Sequence, residues 1–314
     1  MAYSLKEINE AVRSDPKGFV EECDAAYSKK IDTAAKKIAA NLSKSRIVLL
    51  SGPSGSGKTT TAKKIEARLA EMGIRSHAIA MDDYFLSVDP ATAPRNREGQ
   101  IDYESPFCLD MELLNRHFAM LDRGEKIEIP KFEFARQMRS AVRSKPLQLG
   151  NDEIAIFEGI HALNDIFAGK NPNAMKVYIS ARSNVLDEEG KVAFKGTWMR
   201  LERRTVRDAK FRAMDAERTI RLWAGVRRGE KLYISPFKDN ANIQFDSSLP
   251  YEVCAVKPFA QPLFHQLHVE PGMERYEEIG HLVEAYPKFE TLDEKYIAAD
   301  SLIREFIGGG IYDS

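Results

Sequence analysis

The chain has 314 residues, 43% of them hydrophobic, enough to bury a substantial core in one large domain or one domain with extensions. Its 46 Lys+Arg against 47 Asp+Glu give a formal net charge of −1, so no global field favours nucleic acid or an anionic membrane, and any anion site must be local. Cys23, Cys108 and Cys254 are widely spaced with no CxxC pair, which suits free thiols in a reducing compartment, not a disulfide framework or zinc site. The start, Met1-Ala2-Tyr3-Ser4-Leu5-Lys6-Glu7, has no apolar signal region and no apolar stretch reaches 18 residues, so a soluble, cytoplasmic protein is expected.

In chain order, Phe19, Val20, Cys23 and Tyr27, then Ile31, Ala34, Ala35, Ile38 and Leu42, recur at helical spacing. They predict packing helices in an N-terminal extension over residues 1–44. Ile47-Val48-Leu49-Leu50 reads as a buried strand, followed at once by Gly52-Pro53-Ser54-Gly55-Ser56-Gly57-Lys58-Thr59 and a helix over 60–70. This complete G-x-x-x-x-G-K-[ST] stands in the strand, glycine loop and helix context that binds nucleotide phosphates. Gly52, Gly55 and Gly57 let the loop fold back, so that backbone N–H groups from Ser54 to Thr60, Ser56 included, face an anion at a helix N-terminus. Lys58 would then reach the β/γ-phosphates, with the Thr59 hydroxyl on Mg²⁺.

Residues 76–81 read as a second buried strand ending at Asp82-Asp83, and parallel strands end where ligands bind. A carboxylate there can point at a γ-phosphate from the acceptor side and take a hydroxyl proton. One of the pair can equally cap the next turn; we take Asp82 as the base. Residues 86–108 read as a loop and 109–121 as a helix closed by Arg123-Gly124. Residues 126–134 alternate apolar and polar around Pro130, predicting an edge strand in a β-rich insertion. Residues 153–157 and 175–179 are further strands, separated by a helix or loop around 161–167, and Glu158, just past the first, suits an acid acting on Mg²⁺ directly or through water. His161, a lone histidine after a strand, reads as structural. Two helices over 197–228 carry Arg200, Arg204 and Arg207 at i, i+4 and i+7. Like charges on one helical face cost a few tenths of a kcal/mol per pair unless an anion arrives, as phosphates under a lid would. Residues 241–245 form a candidate last strand, and the tail from 250 contains a periodic helix at Tyr276, Ile279, Leu282, Val283 and Tyr286. Strands alternating with helices predict an α/β fold with a parallel sheet flanked by helices.

The ordered set Gly52 to Thr60, Met81-Asp82-Asp83-Tyr84-Phe85, Gly99-Gln100-Ile101-Asp102-Tyr103-Glu104-Ser105-Pro106, Ile129-Pro130-Lys131-Phe132-Glu133-Phe134, Phe157-Glu158-Gly159-Ile160 and Arg203-Arg204-Thr205-Val206-Arg207-Asp208 resembles the uridine kinase and phosphoribulokinase group of P-loop kinases. The resemblance spans roughly 45–248. With the ending Ser301-Leu302-Ile303-Arg304-Glu305-Phe306-Ile307-Gly308-Gly309, the chain looks closest to a bacterial uridine kinase-like or nucleoside kinase branch with helices ahead of the core. It implies a P-loop kinase core over 45–248 with a β-hairpin acceptor insertion and an Arg-rich lid at about 197–230, and a C-terminal extension over 249–314 packed on that core. It further implies ATP and Mg²⁺, Asp82 as catalytic base, Lys58, Thr59 and Glu158 at phosphate and metal, and Glu104 on ribose hydroxyls. Arg204 and Arg207 match lid and acceptor-side arginines, and Arg212 a lid arginine facing ATP. Tyr84, Phe132, Phe134 and Gln137 fall in the matched acceptor segments. Where pyrimidine-specific members carry Tyr and His in the hairpin, this chain has Phe132 and Gln137, and a lid glutamine is replaced by Leu222. The expected reaction transfers phosphate from ATP to a small-molecule hydroxyl, foremost the 5′-hydroxyl of uridine or cytidine, otherwise that of another ribosyl or polyol compound. A nucleotide-binding regulatory protein would need the loop but no base and no acceptor pocket. A homo-oligomer is left open.

Overall fold

The computed structural model describes residues 2–133, 136–141, 146–267 and 276–312. The chain begins with strand β1 (Ala2–Ser4) and helices α1 (Leu5–Ser14) and α2 (Pro16–Asn41), the latter started by the Asp15 side chain accepting from the Gly18 N–H and by a proline in its first turn. Then follow β2 (Ile47–Ser51), α3 (Lys58–Glu71), β3 (Arg75–Ala80) and α4 (Met111–Asp122), which Asp110 caps and Gly124, at φ 75°, closes. The insertion holds β4 (Ile127–Glu128) and β5 (Phe132–Glu133), with β6 (Met138–Arg139) returning antiparallel to β5 and β7 (Pro146–Leu147) to β4. The short pairs agree with the expected β-rich hairpin module.

Next come β8 (Glu153–Glu158), the one-turn helix α5 (Asp165–Ala168), β9 (Met175–Ser180) and a β10 (Asn184–Leu186) to β11 (Val192–Phe194) hairpin. Helices α6 (Gly196–Phe211) and α7 (Ala216–Gly229), strand β12 (Ile243–Asp246) and helices α8 (Glu252–His265), α9 (Tyr276–Ala285) and α10 (Arg304–Ile307) complete it. Among the described residues no helix is long and apolar enough to cross a membrane.

Five strands form one parallel sheet in the order β12-β9-β2-β8-β3. All five residues of β2 are buried: Val48 and Leu50 enter the core layer under α2, α3, α6 and α8, while Ile47 and Leu49 enter the layer under α4. Ile154 and Ile156 of β8 divide from Ala155 and Phe157 in the same way. This two-sided burial is why the strands are continuous apolar runs. Leu50 pairs with Glu158, and Glu158 with Ala80, so the phosphate-loop entry, Glu158 and Asp82 leave the sheet along one carboxyl edge. Residues from both chain ends, Ile8 and Val12 on one side and Leu302 to Ile307 on the other, pack in the same apolar layer as β2.

The tail departs from its sequence reading at α8, which contains Pro258 and Pro262. A proline frees the carbonyl four residues earlier; the Cys254 carbonyl so released accepts the Leu292 N–H at 3.0 Å. A distant segment thus replaces the donor lost at Pro258.

Candidate active site

The loop after β2 has the backbone of an anion cradle. A Cβ on Gly52 would lie 2.0 Å from the Ile179 carbonyl oxygen, and Gly55 and Gly57 have φ of 71° and 78°, a region that favours glycine. Gly57 precedes the first residue of α3 and offers no side-chain cap. Lys58 Nζ donates to the Pro53 carbonyl at 3.3 Å. The Ser54 hydroxyl accepts from Arg204 Nη1 at 2.9 Å and its carbonyl from Arg200 Nη1 at 3.1 Å. Ser56 Oγ is buried without a hydrogen-bond partner among the described residues, Thr59 is exposed, and the Thr60 N–H donates to Glu305 Oε2 at 3.0 Å.

Two carboxylates feel the charge of Lys58. Asp82 sits in a 3₁₀ turn at the end of β3, its carboxyl raised above the ordinary value by surrounding protein, with Lys58 opposing and Asp83 adding to the shift. Glu158 is raised by burial, opposed by Lys58 and reinforced by Asp82 and Glu305. Asp83 does something else: its Oδ1 accepts the Phe132 N–H at 3.3 Å and lies 3.2 Å from Lys131 Nζ, anchoring the hairpin. Among the described residues no group of three or more His, Cys, Asp or Glu could hold a metal. The hard oxygens of Thr59 and Glu158 beside a phosphate loop are still the donors that Mg²⁺ takes, since it usually keeps waters and phosphate oxygens.

The arginines of α6 divide into two sets. Arg200 is 2% exposed and holds Glu230 through bonds of 2.6 and 2.9 Å, so its anion is internal, a correction to its grouping with the lid arginines. Arg203, fully buried, is paired with Glu252 and donates to the Gly55 carbonyl at 3.2 Å. Arg204 lines the cleft and Arg207 stands one turn further along the helix. They lie 3.3 and 3.0 Å from the Asp208 carboxylate, which Arg212 also approaches at 3.5 Å. Three guanidinium groups thus share one buried acid. Desolvation lowers the pKa of Arg204 and of Arg212, so an arriving anion would be welcome.

On the acceptor side, Glu104 lines a cleft of about 680 Å³ with Arg204, Arg228 and Leu222. Burial raises its carboxyl, with Arg204 opposing. Gly229, at the end of α7, makes this approach possible: a Cβ there would stand 2.4 Å from Glu104 Cβ. The buried Asp102 ties the same loop to the lid, bonded by Arg228 at 2.8 Å and the Tyr233 hydroxyl at 3.1 Å. Phe132 and Gln137 line a neighbouring apolar cavity of about 340 Å³ with Phe85 and Tyr103. Tyr84 is not brought to the cleft; it is fully buried, its hydroxyl 2.9 Å from His117 Nδ1. Phe134 lies outside the described residues. His161 is buried between this loop and the lid, near backbone groups of Tyr233 and Glu104, and burial pulls its pKa down to about 4.

Sequence reasoning passed over Glu230, Asp102 and Glu305. The first two could have been suspected as acids facing arginine-rich helices, whereas nothing local marks Glu305, which meets the loop across 245 positions of chain.

The sequence has relatives among known proteins. The chain is similar to the uridine kinase of Ureaplasma urealyticum serovar 10, 27% identical over 198 residues covering 63% of this chain and 86% of that one. It is similar also to the uridine kinase of Lactobacillus helveticus, 29% identical over 205 residues covering 64% and 86%. A solved structure described as a possible uridine kinase from Bacillus stearothermophilus superposes with a TM-score of 0.45 at 18% identity, covering 69% of this chain and 98% of that one. The model of the phosphoribulokinase / uridine kinase family matches residues 47–253, the stretch that carries the loop, both acids and the arginines, and the chain belongs to that family of P-loop kinases.

Proposed function

We infer that the protein transfers the γ-phosphoryl group of ATP to a hydroxyl of a small acceptor, foremost the 5′-hydroxyl of uridine or cytidine. One observation carries this reading: the phosphate loop, Glu158 and Asp82 leave the sheet along one carboxyl edge, while Arg204, Arg207 and Arg212 gather within 3.0–3.5 Å of the Asp208 carboxylate on the lid. Phosphoryl transfer asks for little beyond positioning, cations around the migrating charge and an acceptor for the hydroxyl proton. In this reading Gly52 to Thr60 hold the donor phosphates and Lys58 and the lid arginines face the transferred group. Thr59 and Glu158 would hold Mg²⁺, which would supply positive charge to the donor phosphates. Asp82, whose carboxyl desolvation raises from its ordinary value, takes the acceptor proton.

The acceptor walls support strict reading of a sugar and loose reading of a base. Glu104 can accept bonds from a ribose diol, whereas Phe132 and Leu222 offer apolar contact, which discriminates weakly. The test is coupled ADP release with nucleosides, pentoses and small hydroxy acids. ADP release should rise only with an acceptor. Removing the 2′-hydroxyl should cost more in kcat/KM than exchanging uracil for cytosine, and Glu104→Ala should abolish most of that preference. Strict selection of one base with indifference to the 2′-hydroxyl would sink the sugar-first reading, and acceptor-independent hydrolysis the kinase reading.

A further inference from the structure

A side chain from outside the family-matched stretch is seated on the phosphate loop. The Thr60 N–H belongs to the first turn of α3, where backbone donors have no partner within the helix and, in a phosphate loop, face the α/β-phosphates. Here that donor is held by Glu305 Oε2 at 3.0 Å. The residues leading into α10 are fixed in place by three contacts. A Cβ on Gly57 would stand 2.4 Å from Leu302 Cδ1, Lys64 Nζ holds Asp300 at 2.6 Å, and Ser301 Oγ meets the Tyr251 hydroxyl at 2.8 Å. From the lid, Lys210 Nζ donates to the Ile307 carbonyl at 2.6 Å, and the Arg203 guanidinium lies over the Phe306 ring at 5.1 Å. The segment therefore bridges loop and lid and brings an anionic group to a place where a donor nucleotide puts its own.

We propose that Glu305 belongs to the donor site and sets donor affinity, its carboxylate competing with a nucleotide phosphate for the Thr60 amide. This rests on the reading of the loop as the donor site. A carboxylate and a phosphate cannot both take one N–H, and their like charges repel at close range, so a nucleoside polyphosphate must displace Glu305 before the loop closes around it. Adenosine, with no phosphate, has nothing to displace. A purely structural cap would act otherwise: removing it would loosen α3 and leave nucleotide binding unchanged or weaker.

The experiment is calorimetric titration of the whole protein and of Glu305→Ala, Glu305→Gln and Lys58→Ala with Mg-ATP, with adenosine as the phosphate-free probe and a melting curve for each variant. Loss of a charge-assisted competitor should tighten Mg-ATP by about tenfold in Glu305→Ala. Glu305→Gln, which keeps an acceptor but no charge, should tighten it less, and adenosine should gain nothing. Should Glu305→Ala fail to fold, Glu305→Gln carries the test alone. An ATP affinity unchanged or weakened in both Glu305 variants, yet lost in Lys58→Ala, overturns the competition and leaves the donor loop standing. If neither the parent nor the Glu305 variants bind ATP, both readings fall together.

Discussion

Burial of a single imidazole gives the fold a direction of acid weakness. His161 has its pKa lowered from 6.5 to about 4, chiefly by desolvation. Between those values the unfolded chain takes up a proton that the folded chain refuses. The stability His161 contributes is thus fully present above pH 6.5 and lost as pH falls towards 4. The urea midpoint should decline through that window, and His161→Phe should flatten the decline; an identical slope in the variant would place the acid sensitivity elsewhere. The aspartate pair separates by role in the same residue-level terms. Asp82→Asn removes a proton acceptor and should lower turnover by roughly 10²–10⁴-fold with ATP binding nearly intact. Asp83→Asn touches the Phe132 amide and Lys131 and should act mainly on the acceptor KM. A larger turnover loss at Asp83 would reverse the assignment.

At the scale of elements, the lid helix α6 is rooted by two buried ion pairs, Arg200 with Glu230 and Arg203 with Glu252. Removing one partner of such a pair strands the other charge, so Glu252→Ala should destabilise the protein by about 3–5 kcal/mol in urea titration. A loss within that of an exposed pair would mean that Arg203 finds another acceptor. These pairs also show where legibility ends. β2, β3, β8, β9, α3, α4, α6 and α7 were readable because period and punctuation are local, and the loop with Asp82 and Glu158 followed from their places at strand ends. Arg200 was not: its spacing from Arg204 and Arg207 puts it on their face, and only the fold brings Glu230 against it. Tyr84 likewise stands beside Asp82 in sequence but points into the core towards His117. Helix α8 was hidden by its two prolines, and the Leu292 donor that takes up the Cys254 carbonyl lies far along the chain.

Over the whole molecule, the segments expected as extensions share one apolar layer with the central sheet, and α2 packs directly on α3. We therefore expect deletion of residues 1–44 to uncover the Ile65 and Leu69 face of the loop helix and to abolish cooperative thermal unfolding; a sharp transition in the truncated chain would show a core that folds alone. The pairing of β1 with β10 sets a condition on biosynthesis. Ala2 lies in parallel register with Asn184, so β1 finds its partner only after about 180 further residues have been polymerised. At roughly 5–20 residues per second this is on the order of 10–40 s, during which β1 leaves an unpaired strand edge beside an uncovered Ile8–Val12 stripe. Synonymous changes in translation speed upstream of codon 184 should therefore alter soluble yield without altering one amino acid.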